Sequence, residues 1–185
     1  LANNGYRDNP LVRSIDWILS LPELPQIHFN RWALFDAAVA RADRQRPMYE
    51  FGVWMGHSFR YLIDSFPNGF GFDTFEGLPE TWNGLPPGTY TSFGQVPNIL
   101  GAEFITGDFR DTLPGFFSKP RAMAGLINFD ADLYSSTITA LNHAAPVIDD
   151  STVLIFDELI VNRNWEQDEF RALKEFCENN SLSFE

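Results

Sequence analysis

The segment LINFDADLY, residues 126–134, ends an apolar run with two carboxylates, Asp130 and Asp132, two residues apart. A run of this length and composition reads as a fully buried strand. The pattern recurs in TVLIFDE, residues 152–158, which ends in Asp157 and Glu158. Between them, SSTITALNHAAPVI, residues 135–148, has the length and spacing of a helix. Strand, helix and strand, with strands too apolar to face water, define a parallel sheet covered on both faces.

Working outward, the alternation continues. Upstream come MYEFGV (48–53), GFGFDTF (69–75) and AEFITGDF (102–109) as strands, with GHSFRYLIDSF (56–66) and RDTLPGFF (110–117) as helices. Downstream, QDEFRALKEFCENN (167–180) closes the pattern as a helix. Right-handed crossovers bring every strand's carboxyl end to one edge, so the glycine turn after the first strand, Asp73, Asp108, Asp130 and Asp157 share the crevice where open α/β sheets bind ligands. Two helical runs precede this core. Residues 10–20 place Leu11, Ile15, Ile18 and Leu19 on one face, and residues 28–46 form a second run ended by Pro47. Residues 77–101, rich in Gly, Pro, Thr and Asn, form a long loop of the length that usually serves function. No linker separates two cores, so residues 1–185 read as one domain: an N-terminal helical segment or lid over 1–46 and an α/β core over 47–185.

Composition narrows the classes. The chain is 44% hydrophobic with 18 Phe and 5 Trp, which excludes disorder. A net charge of −12 without a basic stripe argues against nucleic acid and against an anionic membrane surface. The single Cys177 excludes an internal disulfide or a cysteine-based zinc site, and with no signal-peptide pattern it points to the reducing cytoplasm. No stretch has the length of a membrane span.

At the first turn, EFGVWMGHS (50–58), Gly52 and Gly56 permit a sharp bend and close approach of a ligand. Trp54 fills the place of the middle glycine of a dinucleotide fingerprint, which argues against a nicotinamide-dependent oxidoreductase and for a smaller anion such as an amino-acid carboxylate. Asp73, about 20 residues further on, has the spacing of a ribose-binding acid. Asp108 and Phe109 follow the third strand, where they could meet an adenine, but a loop acid beside a core aromatic is the favoured explanation. Asp130, Asp132, Asp157 and Glu158 crowd together, and such acids need a cation or a shared proton. Oxygen-only ligands suit Mg²⁺, Mn²⁺ or Ca²⁺. Asp132 and Glu158 also suit helix N-termini, so the functional reading is stronger for Asp130 and Asp157. His28, His57 and His143 have ordinary structural explanations.

Five blocks, YEFGVWMGHSFRYL, GFDTFEGLPETW, ITGDFRDTLPGFF, INFDADLYSSTITAL and VLIFDE, together resemble the macrocin-type O-methyltransferases across about Arg31 to Phe176. That resemblance implies a three-layer, Rossmann-like class I methyltransferase fold and S-adenosylmethionine as methyl donor to a hydroxyl of a sugar or other small molecule. It implies that Glu50, Gly52, Trp54, Gly56 and Ser58 surround the methionine part. Asp73, flanked by Phe75 and Glu76, would hold the ribose, and Gly107, Asp108 and Phe109 would border the adenine. It further implies a divalent ion, usually Mg²⁺, on Asp130, Asp157 and Glu158, with Asp132 supporting metal or acceptor. Either Asp130 or Asp132 would take the hydroxyl proton. The family usually carries Asp where this chain has Glu158, and LSFE (182–185) falls where a sixth strand would begin, so the sheet is expected to be truncated at its C-terminal strands. Alternatives are a cofactor-binding domain without chemistry, and methyl transfer to a polysaccharide or peptide. The loop aromatics Trp82, Tyr90 and Phe93 are expected to cover a substrate or seal a homo-oligomer.

Overall fold

A computed structural model describes residues 8–184. Residues 1–7, the first part of the expected N-terminal segment, and Glu185 lie outside the described residues. Five strands form one sheet in the order β3-β2-β1-β4-β5. They are β1 (Met48–Phe51), β2 (Gly69–Asp73), β3 (Ala102–Thr106), β4 (Leu126–Phe129) and β5 (Val153–Phe156), and every pairing is parallel, as the sequence predicts.

The strand order reverses between β1 and β4, which opens a crevice at their carboxyl ends. One row of that edge is aromatic. Phe72, Phe51, Phe129 and Phe156 are register partners across four strands. Their rings stack with centroids 4.8, 5.3 and 4.8 Å apart. This row forms a rigid apolar floor directly behind the residues that leave the strands, since stacked aromatic pairs contribute about 0.5–1.5 kcal/mol beyond burial alone.

Helices cover both faces. α4 (Phe109–Phe117), α5 (Tyr134–Ala144) and α6 (Glu169–Asn180) bury one face with Leu113, Phe116, Ala140, Leu141, Leu173 and Phe176. α2 (Arg31–Arg41) and α3 (His57–Ile63) bury the other with Phe35, Ala38, Phe59, Leu62 and Ile63. The second helix is shorter than the sequence predicts. It starts only at Arg31, where the Asn30 side chain accepts the Ala33 N–H at 2.8 Å. It stops at Arg41 because the chain must turn into β1. Arg46 N–H donates to the Asp43 carbonyl, and the Arg46 guanidinium bonds both Asp149 oxygens at 2.8 and 2.9 Å.

α1 (Pro10–Ser20) departs further from expectation. Its contacts come from Trp17, packed on Trp165 and Phe170, from the Arg13–Glu166 ion pair, and from Ser14, whose hydroxyl accepts the Val161 N–H. Leu11, Ile15 and Leu19, the expected apolar face, are exposed. The bulky tryptophan and two polar anchors turn the helix so that this leucine-rich stripe points outward. The 77–101 loop is also less open than predicted at one place: Trp82 is buried with Leu78 and Leu133, and its indole N–H donates to Asp168 at 3.2 Å. Tyr90 and Phe93 are exposed, as expected. Cys177 is a buried free thiol, and no helix among the described residues is long and apolar enough to cross a membrane.

Candidate active site

The crevice between β1 and β4 holds a cavity of about 480 Å³. Its floor is the turn after β1. Gly52 has φ +88°, and a Cβ there would lie 1.8 Å from the Asp130 carbonyl oxygen. Only glycine permits both the backbone conformation and the approach of the two chains. The approach is fixed by the Asp130 N–H, which donates to the Phe51 carbonyl at 2.8 Å.

Asp73 organises this turn. One carboxylate oxygen accepts the backbone N–H groups of Val53 and Trp54, each at 2.7 Å, and the other accepts that of Phe75 at 2.7 Å. Asp73 thus holds the first turn to the end of β2 while still lining the cavity, with lone pairs left for a further donor. Trp54, at φ +51°, reaches the long loop, where its indole N–H donates to the Thr91 carbonyl at 3.3 Å.

The expected site residues divide into two groups. Gly52, Trp54, Ser58, Asp73, Asp108, Phe109, Asp130, Asp132, Asp157 and Glu158 line the cavity. Glu50, Gly56, Phe75, Glu76 and Gly107 do not. Phe75 is fully buried and packs edge-on against Phe104, so it is a core residue rather than a flank of the ligand. Gly56 caps α3 in the left-handed conformation, and Gly107 donates its N–H to the Asp73 carbonyl. Asp108 lines the cavity but also caps α4 and is paired with Arg110, which holds its carboxyl below the usual range.

Glu50 is sealed beneath the wall. Its side chain accepts the Ser58 hydroxyl at 2.6 Å, its second oxygen has no partner, and Asn128 stands opposite it in register. Burial, which favours its neutral form, pushes its carboxyl well above 4.5 despite the Ser58 bond. A carboxyl whose folded pKa is raised stabilises fully below its unfolded pKa and loses that contribution as pH rises towards the folded value. Wild type should therefore lose stability from about pH 4.5 upward relative to Glu50→Gln, which keeps the shape and cannot ionise. Urea unfolding of both proteins over that range checks this; parallel stability curves would contradict it.

The four acids behave as a cluster. Burial, then the charge of Asp157, pushes Asp130 well up. Burial, then Glu158, pushes Asp132 up to about 7, and burial, then Asp157, pushes Glu158 up to about 7. Asp132 sits at φ +60° in a three-residue turn closed by Leu133 N–H to the Ala131 carbonyl at 2.6 Å. That turn is rare for a non-glycine residue and directs its side chain into the cavity. Glu158 is held from behind, because buried Glu169 accepts its backbone N–H at 3.0 Å.

The residues as they stand are not arranged as the expected three-carboxylate Mg²⁺ site. Such a site needs its oxygens to converge on one point. Among the described residues no group of three or more His, Cys, Asp or Glu side chains is arranged this way, although Asp130 and Asp157 lie close enough to interact directly. Asp157 is engaged instead by the guanidinium of Arg31, the first residue of α2. Sequence reasoning missed Arg31 because a charge at a helix start looks like solvated surface. It also missed Glu80, Ser135, Ser136 and Thr139, which complete the cavity wall and carry no local motif.

A parallel five-stranded sheet with the order β3-β2-β1-β4-β5 and a glycine turn facing acidic strand ends is the class I, Rossmann-like methyltransferase fold. The family described as "Methyltransferase domain" matches residues 49–159, and the chain belongs to it. No curated protein sequence matches the chain. Solved structures share the fold. CalS11, a calicheamicin methyltransferase, is 22% identical, with 95% of this chain and 85% of that one covered at a TM-score of 0.61. The O-methyltransferase NovP is 19% identical, with 84% and 74% covered and a TM-score of 0.61. TomG from Streptomyces achromogenes, an O-methyltransferase involved in tomaymycin synthesis and solved in complex with SAM, is 16% identical, with 99% and 80% covered and a TM-score of 0.53.

Proposed function

We propose that the protein is an S-adenosylmethionine-dependent O-methyltransferase of the macrocin type, acting on a hydroxyl of a small molecule or glycoside. The observation that carries this reading is the convergence, in one cavity at the β1/β4 crevice, of a glycine that can hold no Cβ, the turn-organising Asp73 and an acid poised near neutral pH. The cavity volume suits a cofactor-sized ligand. The binding of SAM by TomG, on the same fold, supports the choice of donor.

S-adenosylmethionine supplies an electrophilic methyl group on a sulfonium centre. The protein's part is to position and to take a proton. Gly52 lets backbone and ligand approach, Ser58 offers a hydroxyl oriented by Glu50, and Asp73 offers lone pairs suited to ribose hydroxyls. Phe109 gives apolar contact suited to a base. Asp132 is the proposed proton acceptor, because a carboxyl near 7 is both partly ionised at neutral pH and basic enough to help an alcohol react. The charges of Glu158 and Asp157 set its field. Glu80, Tyr90, Ser135 and Thr139 present hydrogen-bonding groups suited to a hydroxylated acceptor. Residues 1–185 are proposed to act as one methyltransferase domain, with the segment through residue 46 as its cover.

Calorimetric titration with S-adenosylhomocysteine tests the reading. Saturable binding by wild type is expected, weakened by about tenfold or more in Asp73→Asn, where one backbone N–H faces an amide N–H. No binding by folded wild type would overturn it.

A further inference from the structure

Arg31 stands where electrostatics alone would not place it. A cation in the first turn of a helix opposes the helix dipole, and α2 has no acid in its first turn to offset it. Its guanidinium instead reaches across to β5 and pairs with Asp157, whose side chain is only 12% exposed. Phe35 and Ala38, both buried, fix the helix that carries it. The other arginine of the cavity wall, Arg110, is already forked onto Asp108. Arg31 is thus the cation that faces the Asp130, Asp132, Asp157 and Glu158 cluster among the described residues.

We propose that Arg31 is the built-in counter-ion of this carboxylate cluster, occupying Asp157 in place of a divalent metal and latching α2 over the strand-end crevice. This deepens the proposed function and rests on it only in assigning the crevice to methyl transfer. A guanidinium presents fixed, directional donors to a carboxylate and carries its charge at every physiological pH. It neutralises Asp157 without supplying the open coordination positions that a metal would. The pair ties the first turn of α2 to the end of β5, adding a charged contact at the acid site to the apolar packing of Phe35 and Ala38.

The test uses Mn²⁺ alone as the probe, with free Mn²⁺ followed by electron paramagnetic resonance. Wild type and Arg31→Lys should show weak binding. Arg31→Gln, which keeps the length of the side chain and removes its charge, should bind Mn²⁺ about tenfold more tightly or better. That gain should disappear in the Arg31→Gln, Asp157→Asn double variant. A gain in metal affinity is a readout that a damaged fold would not produce. Equal Mn²⁺ affinity in wild type and Arg31→Gln, whether tight or undetectable, would overturn the proposal. Parallel calorimetry with S-adenosylhomocysteine separates the two readings: binding by all four proteins leaves the cofactor site standing whatever Mn²⁺ does, and its absence in all four removes that site without touching the Mn²⁺ comparison.

Discussion

Gly52→Ala should destabilise the protein by on the order of 2–5 kcal/mol and remove its binding of S-adenosylhomocysteine. Two effects combine. A residue with a Cβ at positive φ costs roughly 1–2 kcal/mol, and forced overpacking costs typically 1–3 kcal/mol more. Here the added carbon would fall 1.8 Å from the Asp130 carbonyl oxygen and 2.6 Å from its carbon, and neither atom belongs to a side chain that could rotate away. One backbone must move, and either choice breaks the 2.8 Å bond from Asp130 N–H to Phe51. Since whole domains are stable by only about 5–15 kcal/mol, the loss is large. Urea unfolding with calorimetry measures both parts. An alanine variant within about 1 kcal/mol of wild type that still binds ligand would show that the two strand ends are not held as described.

Asp132→Asn should leave the fold intact and lower the methyl-transfer rate by about 10²–10⁴, the range that general base catalysis supplies. Asparagine tolerates the left-handed conformation found at this position, so the tight turn over Ala131 and Leu133 survives while the proton acceptor is lost. Wild-type activity should rise with pH through about 7, as the Asp132 carboxyl ionises, and that rise should be missing in the variant. Radiolabelled methyl transfer from S-adenosylmethionine to a panel of hydroxylated acceptors reads both. A variant that keeps both its rate and its pH profile would move the proton-accepting role away from Asp132.

Much of the site was legible because it is tied to chain position. A buried parallel strand must be apolar until it leaves the sheet, so the first polar residues after it mark the ligand edge, and Asp73, Asp130 and Asp157 stand there. Gly52 was legible for the same reason, as a turn residue directly after a strand. Phe75 and Glu50 were harder. In sequence Phe75 is one aromatic near a ribose-type acid, yet its side chain turns into the core against Phe104. Glu50 is expected beside the methionine part of the cofactor, but its strand position points it inward to Ser58. The direction of a side chain at a strand end depends on twist and on neighbours, which no local pattern encodes.

What the sequence determined by itself is the layered α/β architecture and the single edge on which the acids gather. These follow from hydrophobic period, turn chemistry and crossover geometry, all of which act over a few residues or one supersecondary unit. Only the tertiary structure decided that α1 turns its leucines outward, that Trp82 is buried on Asp168, and that Arg31 meets Asp157 across 126 residues of chain. Each of these is a contact between elements distant in sequence. Packing of whole helices and the compensation of buried charge select such contacts, and both are properties of the assembled fold.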